Sequence, residues 1–265
     1  MIKIDSEKEK VPFIEKYKKP MSFTLYMLPL ILVGAYVGVK YTFASISADD
    51  MANAVKQVGS ESTLFLISVL QTVAYALIAA FFGYRAASKV GLLRDFGFDW
   101  EQTIDVIRWS VVGGFILSLD AFIFADKIPS LSEYYVELGH FDLTVWLASV
   151  FYGGVIEELL LRWFLMSMVS LLIWKVIYQD KSEAPEQAII ASNFVSAFLF
   201  AAGHLPITVA MFGGLTPLLL LRCFLLNGGA GLLFGRFYRK YGIQYAMLSH
   251  ALFHVVSRTI WLIAF

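Results

Sequence analysis

Polar residues interrupt this chain in short clusters, and between the clusters lie seven apolar runs: residues 21–39, 63–82, 106–125, 141–177, 187–204, 216–234 and 243–265. Most are close to the ~20 residues a helix needs to cross a bilayer. The pattern predicts an all-α, polytopic membrane bundle. Its count is seven to eight transmembrane helices, because two places are ambiguous. The run 141–177 would be about 55 Å long as one α-helix, against a hydrocarbon core of ~30 Å, so it must protrude, tilt or break. The stretch 205–217 contains Pro206, Gly213, Gly214 and Pro217 and reads as irregular. A short or re-entrant eighth helix could lie in either. There is no internal repeat and no separate soluble domain. Residues 1–20 read as a tail and 21–265 as a single membrane domain. Within 227–235, Gly231 and Gly235 are spaced for close helix packing.

The polar clusters differ in charge. Lysines dominate residues 3–19. The next cluster sets Asp49, Asp50 and Glu61 against Lys56. Then come Arg85, Lys89, Arg94 and Arg108, followed by Glu133, Glu137 and His140 against Lys127. Lys175 and Lys181 follow, and finally Arg236, Arg239 and Lys240. The Lys/Arg-rich clusters fall on one side throughout, and positive charge prefers the cytosol. This places a multi-pass protein in the cell membrane with its N-terminus in the cytosol and, for seven spans, its C-terminus outside.

Composition agrees. The chain is 58% hydrophobic and 16% charged with a mean hydropathy of +0.69, where a soluble domain is about half apolar and a quarter charged. Zero net charge gives no reason to expect a nucleic-acid partner. The single cysteine, Cys223, excludes an internal disulfide and a zinc-finger cluster. Residues 1–20 hold six lysines and four acids and lack the apolar core of a signal peptide.

Against that apolar background, charge inside a run is informative. The segment GGVIEELLLRWFL places Glu157, Glu158 and Arg162 in the middle of 141–177. An ionised side chain at mid-membrane costs about 2.5–3.5 kcal/mol on insertion scales, so such residues face a partner or a wet cavity. Glu158 and Arg162 are i and i+4 and can pair on one helix face. Glu157 lies about 100° round an α-helix, with no local cation at i+3 or i+4. One glutamate can therefore be held while the other points elsewhere, available as a base for water. Ion-paired packing between helices is the alternative reading. Three of the four histidines also lie in or at the ends of apolar runs: His204 ends FLFAAGH, and His250 and His254 are i and i+4 in LSHALFHVV, with Arg258 one turn further on. Imidazoles can orient water, donate to an oxyanion or bind a metal.

These residues resemble a known family. EELLLR (157–162) matches an EExxxR motif, FAAGH (200–204) an FxxxH motif, and HALFH (250–254) a third motif in which histidine is followed four residues on by Asn or Asp. The order and the apolar settings agree, and from residue 141 to the C-terminus the chain resembles the CPBP family (Abi family), which holds CAAX prenyl endopeptidases and bacteriocin-processing or immunity proteins. The resemblance implies a helical membrane core that hydrolyses peptide bonds in an intramembrane cavity. It implies Glu157 as the water-activating base, supported by Glu158 and Arg162, with His204 assisting at the water or leaving group and His250 in the same centre. His254 departs from the family pattern.

Two mechanisms are open. In the metal-free one, Glu157 activates water, His250 and His254 stabilise the oxyanion and His204 positions the water. In the other, His204, His250 and His254 hold zinc with Glu157 as base, since His-x3-His on a helix offers two imidazoles on one face. No cofactor is assigned; the metal-free route is preferred because the family usually lacks the third imidazole, although it is often labelled metalloprotease. The expected partners are the lipid bilayer and a membrane-associated peptide or protein substrate. A non-catalytic scaffold or bacteriocin-immunity protein is the alternative from another class. A simple seven-span drawing puts His204 near the outer end of its helix and His250 nearer the inner end of its own, more than 10 Å apart in depth. Asp120 with Arg222 reads as a structural pair, and Asn193, Ser196 and Asn227 as interhelix hydrogen bonds. Tyr152 and Trp163 flank the charged motif, and His140 sits in a loop.

Overall fold

The computed structural model describes residues 13–265. The lysine-rich residues before 13 lie outside the described residues. The first helix, Phe13–Ser45, takes in residues 13–20 of the segment read as a tail. The described chain is helical with no strand, and seven helices are long and apolar enough to cross a membrane: Tyr17–Ser45, Glu61–Lys89, Trp100–Lys127, Leu143–Ile177, Glu186–Phe212, Pro217–Tyr241 and Ile243–Ala264. They correspond one for one to the seven apolar runs. The protein is a multi-pass membrane protein, and these helices are called the first to seventh spans below.

Two expectations change. The stretch 205–217 is not irregular as a whole. Helix resumes at Leu205–Phe212, with Pro206 in its first turn, where a missing N–H breaks no hydrogen bond. The chain turns only at Gly213, whose φ of +73° is costly for a residue with a side chain. The fifth span therefore continues for eight residues beyond His204. The long fourth span neither breaks nor follows α-helical winding. Residues Ala148–Glu157 and Leu159–Met166 adopt the wider π-helical turn, with i→i+5 hydrogen bonds, between α-helical ends.

Two additional short helices connect spans. Ala48–Val58 follows the first span, capped by Ser47 on the Asp50 N–H, and buries none of its residues. Pro129–Leu138 lies between the third and fourth spans.

The fourth span is the central one, packed against the first, second, fifth, sixth and seventh. Small residues allow the close approaches. Gly34 and Gly38 of the first span face Phe151 and the ring of Tyr152, where a Cβ would collide. Gly231 faces Arg162 and Ala197, and Gly235 faces Asn193, the close packing expected of that pair. Apolar burial between spans is led by Trp163, whose indole N–H donates to the Ala80 carbonyl at 3.0 Å while its ring stacks on Phe23 at 4.6 Å. Hydroxyl pairs tie other crossings: Ser110 to Ser249 at 2.8 Å, Ser170 to Ser192 at 2.6 Å, and Ser167 to Tyr238 at 2.7 Å.

Asp120 and Arg222 pair as expected. Arg222 Nε donates to both carboxylate oxygens at 2.9 and 3.0 Å, and the Tyr135 hydroxyl donates to the same carboxylate. Asp120 is buried, so it needs these partners. Burial, and then the neighbouring carboxylate, push the Tyr135 hydroxyl well above its ordinary pKa and keep it a donor.

Candidate active site

The fourth span presents its two glutamates to different surroundings. Glu158 is fully buried, as is Arg162. Its Oε1 accepts from Arg162 Nη1 at 2.9 Å and from His250 Nδ1 at 2.7 Å. The Arg162 guanidinium lies over the Phe200 ring at 4.5 Å and beside Phe234 at 5.3 Å. Removing two charges from water costs several kcal/mol each, and close pairing with ring faces offsets part of that. Glu158 Oε2 and Arg162 Nε and Nη2 have no partner within the protein.

Glu157 is 21% exposed, and its Oε2 lies 3.7 Å from His250 Nε2. It lines a cavity of about 400 Å³ together with Tyr152, Gly153, His204, Asn227, His254 and Arg258. A carboxylate that touches both solvent-accessible space and an imidazole is placed to exchange a proton with water.

His250 donates Nδ1–H to the Glu158 carboxylate, and with a neutral ring its Nε2 is an acceptor. His254 Nε2 lies 3.2 Å from that Nε2; with His254 as the donor, its Nδ1 is left as an acceptor. His250 is held between Phe234, stacked at 4.4 Å, and His254, stacked at 5.1 Å. His204 donates Nδ1–H to the Phe200 carbonyl at 2.8 Å, turning Nε2 into its acceptor. The Phe200 ring meets His204 edge-on at 4.7 Å and His250 at 5.7 Å. The discrepancy in depth disappears because the fifth span extends past His204, so that residue lies inside the bundle.

All six residues singled out in the sequence therefore gather at one place. Glu157, His204 and His254 line the cavity, while Glu158, Arg162 and His250 form its buried support. The zinc arrangement left open by three histidines is not assembled. Among the described residues, no group of three or more His, Cys, Asp or Glu is disposed to hold a metal ion.

Other expectations divide. Tyr152 lines the cavity, whereas Trp163 turns away into the packing between the first and second spans. Asn193 and Ser196 make interhelix bonds, to Leu232 and Leu161 carbonyls. Asn227 does not. Its amide donates to Cys223 within its own helix at 3.5 Å, and the residue faces the cavity. His140 is exposed. Sequence reasoning missed Gly153, where a Cβ would stand 3.2 Å from His250 Nε2 and 3.4 Å from His254 Nε2. It also missed Phe234, and Ser149, which accepts from Arg258 Nε at 2.7 Å. Only the doubled glycine before the glutamates signalled the first of these; nothing in the spacing signalled the others.

The comparison with protein families bears on this geometry. The family model of the Type II CAAX prenyl endopeptidase Rce1-like proteins matches residues 139–256. That segment is similar to the CAAX protease (CPBP) family. No curated protein and no solved structure matches the chain. The matched segment contains all six gathered residues, while part of the cavity wall, including Tyr41 and Tyr134, comes from outside it.

Proposed function

We propose that the protein is an endopeptidase that hydrolyses a peptide bond of a membrane-associated protein or peptide, with Glu157 as general base and without a metal. The observation that carries this reading is the contrast between neighbours: Glu158 is locked by Arg162 and His250, while Glu157 opens on the cavity. Water in the cavity gives a proton to Glu157. The resulting hydroxide attacks the scissile carbonyl, and the proton held by Glu157 passes to the leaving amine. The products are a carboxylate and an amine.

The buried residues act through the exposed ones. Glu158 fixes the tautomer of His250, and His250 Nε2 in turn fixes His254. That leaves His254 Nδ1 to accept from the attacking water beside Glu157. His204 Nε2 faces the same space as an acceptor, placed to orient the attacking water or the leaving amine. Asn or Asp at position 254 could supply an acceptor but not a second imidazole in series. In this chain, the ladder Glu158–His250–His254 delivers one.

The test is Glu157→Gln in cells, with membrane abundance measured beside the membrane peptidome. Loss of cleavage products at unchanged abundance supports the enzyme. A phenotype that survives the substitution points instead to a non-catalytic scaffold or immunity role. Metal analysis of the purified protein, with and without chelator, tests the metal-free route.

A further inference from the structure

The inner cavity is continuous with a second, larger cleft of about 700 Å³, with which it shares Tyr41, Tyr134, Met211 and Arg258. That cleft is lined by Ser45–Ser47 at the end of the first span, by Ser130 and Glu133, by His140–Asp142 just before the fourth span, and by Ala210 near the end of the fifth. These positions all lie at span ends on the same face of the bundle. No residue of the connections on the other face, at 90–99, 178–185 and 242, lines either space.

The two faces differ in the charges that set orientation. The face without an opening carries Lys18, Lys19, Arg85, Lys89, Arg94, Lys175, Lys181, Arg236, Arg239 and Lys240 at its span ends. The open face has Lys40, Lys56 and Lys127; Arg222 is neutralised by Asp120, and Arg258 lies within the cavity wall. Lys/Arg counted near span ends set topology, and the richer face stays in the cytosol.

We propose that the active-site cavity opens on the non-cytosolic face, so that its substrates are peptide segments of exported or membrane-inserted polypeptides on that side, and not the cytosolic C-terminal ends of lipidated proteins. This rests on the proteolytic reading for the word substrate; the direction of the opening does not. Arg258 stands where the two spaces meet, its Nε held by Ser149 and with no carboxylate partner among the described residues.

The chain has one cysteine, Cys223, which is buried and donates to the Ala201 carbonyl. Cys223→Ser supplies a background for single cysteines at Ala44 or Ala210 on the open face and Ser182 on the other. Intact bacterial cells expressing each variant are treated with a membrane-impermeant maleimide, before and after permeabilisation. Labelling of Ala44→Cys and Ala210→Cys in intact cells, with Ser182→Cys labelled only after permeabilisation, is expected; the reverse pattern overturns the proposal. In the second arm, peptides lost from cells carrying Glu157→Gln are mapped onto their parent proteins. Cleavage sites in non-cytosolic segments are expected, and sites in cytosolic segments overturn it. If labelling holds but Glu157→Gln changes no peptide, the proteolytic reading fails while the direction of the opening stands, and the substrate class falls with it.

Discussion

Adjacent glutamates with opposite surroundings make opposite predictions. Glu157→Gln keeps the size of the side chain and removes the base. Cleavage should fall by at least ~100-fold, the lower end for a positioned general base, while the unfolding midpoint in detergent stays near wild type. Glu158 is different because it is the carboxylate in direct contact with Arg162. Glu158→Gln or Arg162→Met each leaves an uncompensated buried charge or a broken pair, at a cost of about 3–5 kcal/mol, read as a lowered thermal midpoint. The double variant Glu158→Gln/Arg162→Met should recover much of that stability without recovering activity, since His250 then has no carboxylate to orient it. The Glu158–Arg162 contact was legible from i,i+4 spacing in an apolar run. The partner that matters as much, His250, was not, because a contact across 92 positions depends on how spans pack and not on local spacing.

Among elements, the fourth span shows where sequence reasoning runs out. Its apolar length and buried charges announced an unusual helix, but nothing in the local spacing announced its π-helical winding. Pro206 misled in the other direction. It reads as a breaker, yet as a first-turn residue it begins the helical extension that carries the fifth span past His204. The close contact at Gly153 gives a prediction for the span itself. Gly153→Ala places a methyl against both His250 and His254, so cleavage should fall about 10–100-fold through misplacement of the imidazoles, with little change in thermal midpoint. Kinetics and melting of the same sample separate the two effects. Elsewhere, Asp120→Asn leaves Arg222 half-paired where three spans and Pro129–Leu138 meet. It should lower stability by about 3–5 kcal/mol, whereas Tyr135→Phe should cost about 1 kcal/mol.

For the molecule as a whole, the seven runs translate directly into seven spans, because a bilayer permits few other solutions for so apolar a chain. The first half of the chain, which offered no motif, supplies part of the cavity wall through Tyr41 and Tyr134. Among the described residues no three His, Cys, Asp or Glu side chains are disposed to hold a metal ion, so removing divalent cations should leave the rate of cleavage unchanged, measured before and after dialysis against a chelator. The i→i+5 winding on both sides of Glu158 carries a further demand. A chain shortened by one residue between Leu147 and Glu157 could relax to ordinary winding only by swinging both acids through roughly 100°, away from His250 and toward another neighbour. Length in this stretch is thus as strict as composition: single-residue deletions there should be silenced enzymes even when every catalytic letter survives.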